Sequence, residues 1–89
     1  MTLKILYFAN IKETLQSTEE DYSGDVSTVA ELITQLSERG NNWRSTLQQE
    51  TVMVAVNQTI CDVATEIKDG DEVAFFPPVT GGWMGVARD

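Results

Sequence analysis

The sequence predicts an α+β domain in which a mixed sheet packs on one main helix. Three observations carry that prediction. A strongly patterned helix occupies the middle of the chain, from Thr28 to Arg39. Segments of strand length, rich in β-branched and aromatic residues, open the chain at Thr2 and recur up to Phe76. The 89 residues are enough for one domain, and a chain of this size buries about 60–65% of the surface its unfolded form exposes.

The first strand runs from Thr2 to Ala9 and reads TLKILYFA. Leu3, Ile5 and Tyr7 alternate with Lys4, Leu6 and Phe8. Apolar side chains on both faces predict a central strand covered on both sides. Asn10 to Thr18 is a polar connection with room for one helical turn around Ile11 and Leu15. Glu19 to Ser23 is a weaker strand, with Tyr22 as its one large side chain. Its acidic residues suit a sheet edge, where charge discourages pairing with another chain.

The helix begins with a capping box, Thr28 and Glu31. Val29, Leu32, Ile33 and Leu36 then recur at the i, i+3, i+4, i+7 spacing of a buried face, while Glu31, Gln35 and Glu38 face water. Arg39 is placed to complement the negative end of the helix dipole, and Gly40 to act as the C′ residue. Asn42 to Gln49 adds a short second helix anchored by Trp43 and Leu47. Thr51 to Val56, TVMVAV, is a buried strand. Asn57-Gln58 makes a tight turn into a short return strand, Thr59-Ile60-Cys61. Lys68-Asp69-Gly70-Asp71 is a turn. Glu72 to Phe76, EVAFF, is the last strand, ended by Pro77 and Pro78, which cannot donate to a ladder. The order β-β-α-β-β, with small additions, wraps a mixed sheet around one helix. That is the β-grasp, or ubiquitin-like, arrangement. The chain divides into a β-grasp domain (1–78), an extended glycine-glycine tail (79–82) and a C-terminal extension (83–89).

Composition excludes much. With 14 acidic and 6 basic residues the formal charge is −8. Such a surface repels nucleic acid and anionic membranes and favours a basic protein partner. Met1 leads straight into the first strand, with no basic segment and long apolar run behind it, so the cytoplasm is expected. No stretch approaches the roughly 20 apolar residues of a membrane span. The chain has no histidine, and Cys61 is its one cysteine. An internal disulfide, zinc-finger, iron–sulfur and haem ligand sets, and a Ser-His-Asp or Cys-His relay all lack their residues. Cys61 has no flanking base to lower its pKa and reads as a small buried hydrophobe. Asp69-Gly70-Asp71-Glu72 is too short for an EF-hand loop and reads as a turn. Asn57-Gln58-Thr59 matches a glycosylation sequon but, with no secretory signal, is also a turn. No bound cofactor and no metal are expected.

Two groups of residues point to function. Gly81-Gly82 follows Pro77-Pro78-Val79-Thr80 beyond the last strand. The prolines stiffen the exit, and Val79 to Gly82 can reach roughly 13 Å when extended. Two glycines without side chains can thread a narrow channel and bring a carboxyl to chemistry buried in a partner. In the last strand, alternation turns one ring of Phe75-Phe76 to the core and offers the other as an exposed anchor. Phe8 and Ile60 extend that patch.

Three segments together resemble the small subunit of molybdopterin synthase. They are LKILYFANIKE (3–13), VAVNQTI (54–60) and DGDEVAFFPPVTGG (69–82). The resemblance implies a sulfur carrier with the β-grasp fold. An ATP-dependent adenylating enzyme converts the terminal glycine carboxyl to an acyl-adenylate, and sulfur replaces AMP to leave a thiocarboxylate. The carrier then inserts its tail into the large synthase subunit, where the sulfur goes to cyclic pyranopterin monophosphate in molybdenum cofactor biosynthesis. The implied assembly is a heterotetramer with the active site on the large subunit, and ATP is used by the adenylating enzyme alone. On this match Gly82 carries the adenylate and then the sulfur, and Gly81 permits close approach. Phe8, Ile60, Phe76 and Lys12 fall on the partner-binding surface. One departure stands out. The family ends at the second glycine, whereas Trp83-Met84-Gly85-Val86-Ala87-Arg88-Asp89 follows here. Three explanations fit: a protease removes 83–89 to expose Gly82, the tail arose by read-through of a stop codon, or this is a relative that no longer carries sulfur. The alternatives are a carrier for thiamine synthesis or tRNA thiolation, which share the fold and the glycine pair, and a non-covalent ubiquitin-like interaction module.

Overall fold

A computed structural model describes residues 1–48 and 52–77. The elements run β1 (Thr2–Tyr7), α1 (Ala9–Leu15), β2 (Glu19–Ser23), α2 (Val29–Ser37), α3 (Asn41–Leu47), β3 (Met53–Val56), β4 (Thr59–Cys61) and β5 (Glu72–Phe76). The strands form one five-stranded sheet in the order β2-β1-β5-β3-β4. β1 and β5, from opposite ends of the described chain, pair in parallel, with Lys4 opposite Glu72 and Tyr7 opposite Phe75. The other pairs are antiparallel. This is the β-grasp arrangement predicted from the sequence, and the acidic β2 lies at an edge, as its composition suggested.

The helices lie against one face of the sheet. Leu3, Ile5 and Tyr7 of β1 and Val73 and Phe75 of β5 point into a core that Val29, Leu32 and Leu36 of α2 close from the other side. Each of these side chains is essentially excluded from solvent, and each such burial contributes about 1.5–3 kcal/mol relative to exposure. α2 starts as predicted. The Thr28 hydroxyl accepts from the Glu31 N–H at 3.2 Å, while the Glu31 carboxylate accepts from the Ser27 N–H at 2.7 Å, one residue before the cap.

Tyr7 organises the polar edge of this core. Its ring stacks on Phe75 at 6.1 Å and meets Trp43 edge-on at 5.7 Å. Its hydroxyl donates to Glu20 at 2.9 Å. The Arg39 guanidinium donates to both oxygens of the same carboxylate, at 2.8 and 2.7 Å, and lies 4.6 Å from the Trp43 ring centroid. One carboxylate therefore ties the edge strand β2 to β1 and to the α2–α3 corner.

Several sequence expectations are corrected. The connection after β1 is a full helix, α1, entered from Phe8 and buried at Ile11 and Leu15. Its i, i+4 apolar pair is too brief for periodicity to distinguish two turns from one. Arg39 lies past the C-cap, Glu38, and its guanidinium binds Glu20 instead of the helix end. Gly40 is the N-cap of α3, at φ +153°, and not a left-handed C′ residue. Ile33 is half-buried beside the core, and Cys61 is half-buried also. Within the described residues β3 begins at Met53; Thr51 lies outside them. The far face of β1 is left open by the described residues, because all three helices pack on the other side. Tail residues 79–82, with Gly81 and Gly82, and extension 83–89 lie outside the described residues.

Candidate docking groove and tail exit

The open face of the sheet carries a second apolar cluster, separate from the core. Ala55, Ala74 and Phe76 are buried there, with Leu6 and Met53 packed against them. The strand period of two explains the separation. Tyr7, Val73 and Phe75 turn to the helices, so Leu6, Ala74 and Phe76 turn away. Phe8, Gln58, Ile60 and Glu72 complete the lining of a groove of about 490 Å³.

Its floor follows from the register. Ala55 is directly opposite Ala74 on β5 and Ile60 on β4, so two small side chains sit side by side between larger ones. Phe8 and Ile60 are 44% and 53% exposed, far more than large apolar side chains with a partner would be. Phe76 differs from the exposed anchor expected of it. It is buried, 7% exposed, because it forms the inner wall of the groove beside Met53. β4 is held over the groove by the Asn57-Gln58 turn, whose residues have φ of +52° and +70°. The Asn57 side chain accepts from the Glu72 N–H at 3.0 Å and donates to Asp71 at 3.1 Å.

Of the predicted site residues, Phe8, Ile60 and Phe76 come together in this groove. Lys12 does not line it; it is exposed on α1, one turn beyond Phe8. Leu6, Ala55, Gln58, Ala74 and Glu72 were missed. Strand period marks the face of three of them, since Glu72 and Ala74 precede Phe76 by four and two positions and Leu6 precedes Phe8 by two; Ala55 and Gln58 carry no such mark. β5 ends at Phe76 on the groove wall and Pro77 follows at once. Among the described residues no group of three or more metal-binding side chains occurs, and no helix is long and apolar enough to cross a membrane.

A β-grasp domain with an open apolar sheet face, and with a glycine pair in the sequence beyond its last strand, defines a class, the ubiquitin-like carriers. Comparison with known proteins narrows the class: residues 5–82 match the ThiS family, and the chain belongs to it. The match ends at Gly82, so 83–89 lie beyond it. The chain is 36% identical over 80 residues to the molybdopterin synthase sulfur carrier subunit of Haemophilus influenzae, covering 90% of this chain and 99% of that one. It is 38% identical to the protein of that name from Escherichia coli, with the same coverage. Among solved structures it is similar to a chain in the complex of subunits 1 and 2 of the molybdopterin-converting factor from Helicobacter pylori. There the TM-score is 0.62 at 26% identity, over 92% of this chain and 100% of that one.

Proposed function

We propose that this chain is the sulfur carrier subunit of a molybdopterin synthase and that it works in the cytoplasm. The observation that carries the reading is the open apolar groove that Phe76, at the end of β5, helps to line, in a chain whose curated relatives bear that name. The groove docks the carrier and the tail delivers the cargo. Phe8, Ile60 and Phe76 make the apolar contact, and Lys12 flanks it. An adenylating enzyme joins the Gly82 carboxylate to AMP with release of pyrophosphate, which turns a poor leaving group into a good one. A sulfur nucleophile displaces AMP and leaves a thiocarboxylate. The large subunit receives the tail, and the sulfur passes to cyclic pyranopterin monophosphate. Two such transfers build the dithiolene. The carrier binds no cofactor, and ATP is held by the adenylating enzyme. Residues 83–89 are removed first, since they occupy the Gly82 carboxyl in an amide bond.

The test is intact mass spectrometry of the protein from its native cells. A chain ending at Gly82, with a fraction heavier by ~16 Da where sulfur replaces oxygen, is the expected result. A mature chain that still ends at Asp89, with no shorter species, overturns the proposal and leaves a non-covalent interaction module. Purification with a large synthase subunit, and not with a thiazole synthase, distinguishes this pathway from thiamine synthesis.

A further inference from the structure

The groove is polar at one end only, and the registers place that end. On the open face Asp21, Lys4 and Glu72 fall in one row across β2, β1 and β5. The next row along the strands is Glu19, Leu6, Ala74, Ala55 and Ile60. The last is Phe76 with Met53, and Phe8 just past the end of β1. Polarity therefore runs along β5, from Glu72 at the far end to Phe76 where the tail leaves. Lys4 is spent on Glu19, at 3.5 Å. The ion pairs among the described residues are that one and Arg39–Glu20, so Glu72, which lines the groove, forms no salt bridge there although Lys4 is its cross-strand neighbour. Its backbone is engaged on both sides, its N–H with the Asn57 side chain and its carbonyl with the Asn57 N–H at 2.7 Å. Its carboxylate takes no part in holding the turn.

We infer that Glu72 is the electrostatic anchor of the docking groove, and that the protein seated there presents a basic side chain to it while filling the Ala55–Ala74 floor with an apolar one. The inference rests on the proposed function and specifies the chemistry of the partner. Four residues of strand separate Glu72 from Phe76, roughly 13 Å. The partner's cation therefore lies about that far along the groove from the side chain that meets Phe76. A second copy of this chain does not fit. Each copy carries a charge of −8, and a face-to-face pair sets Glu72 either against the same acidic end of its mate or against the apolar end. The first repels, and the second buries a carboxylate without a counter-charge.

The experiment measures association of the purified large synthase subunit with the carrier ending at Gly82, at low and high salt. Wild type is compared with Glu72→Gln, Glu72→Lys and, as a control on the helical side, Glu38→Gln. Glu72→Gln should slow association about fivefold at low salt and converge with wild type at high salt, and Glu72→Lys should slow it further. Replacing a basic residue of the partner's groove-facing surface by glutamate should restore binding to E72K. Melting curves of the variants establish that they are folded. If wild type binds and Glu72→Gln matches it in rate and salt slope, the inference is wrong and the proposed function stands. If wild type does not bind the large subunit at all, the proposed function fails and the inference with it. A carrier that sediments as a dimer dissociated by Phe76→Ala also overturns the inference.

Discussion

Glu20 is the residue on which most of the polar structure converges. The hydrogen bonds from Arg39 hold its carboxyl below the ordinary value of 4.5, with Tyr7 acting in the same direction and burial opposing both. Burial, reinforced by the bond to Glu20, pushes the Tyr7 phenol well above its usual range. A carboxyl whose pKa is depressed on folding adds stability that is fully present above its unfolded pKa and is lost as pH falls through its folded one. Urea titrations should therefore find the gap between wild type and Glu20→Gln widest near neutral pH and closing below pH ~4.5. Tyr7→Phe keeps the stacking on Phe75 and removes one bond to a charged acceptor, at a cost of about 1–2 kcal/mol. On the other face, Phe8→Ala and Ile60→Ala should leave the melting temperature nearly unchanged, because both side chains are exposed, while weakening capture by the large subunit at least tenfold in a titration. That Phe8, Ile60 and Phe76 gather on one face was legible, because strand alternation turns Phe76 away from Phe75 and sets Phe8 and Ile60 on the same side. The Glu20 network was not legible. It joins residues 7, 20, 39 and 43, and no local pattern records a contact across the sheet and the α2–α3 corner.

At the level of elements, strands and the main helix followed from period, while the boundaries followed from chemistry that period does not encode. α2 was readable because its cap and its apolar stripe agree, and Thr28→Ala should cost about 1 kcal/mol in chemical denaturation. α1 was understated because two buried residues cannot fix a helix length. The β3–β4 hairpin closes with both turn residues at positive φ, the geometry in which asparagine followed by glycine is favoured. Gln58 is the strained member at +70°. Gln58→Gly should raise stability by about 0.5–1 kcal/mol by relieving it, as judged by the denaturation midpoint. An unchanged midpoint would mean that the lost side-chain packing and the greater freedom of the unfolded chain offset the relief. The groove itself emerges at this level. Ala55 and Ala74 are unremarkable in sequence, and they become a floor when the β3–β5 register sets them side by side.

Across the whole molecule, a charge of −8 makes encounter with a basic partner fast and sensitive to salt. The parallel pairing of β1 with β5 has a consequence of another kind. One wall of the groove, Leu6 and Phe8, comes from the start of the chain, while Ala74 of its floor and Phe76 beside it come from β5, near the other end of the described residues. Neither half can present the face alone, and pairing strands so far apart in sequence carries a large loop-closure entropy. A chain still being synthesised, or truncated within β5, has no face to offer. On the proposed function, recognition by this groove would double as an inspection of the finished product, admitting only carriers that have been completed and correctly folded.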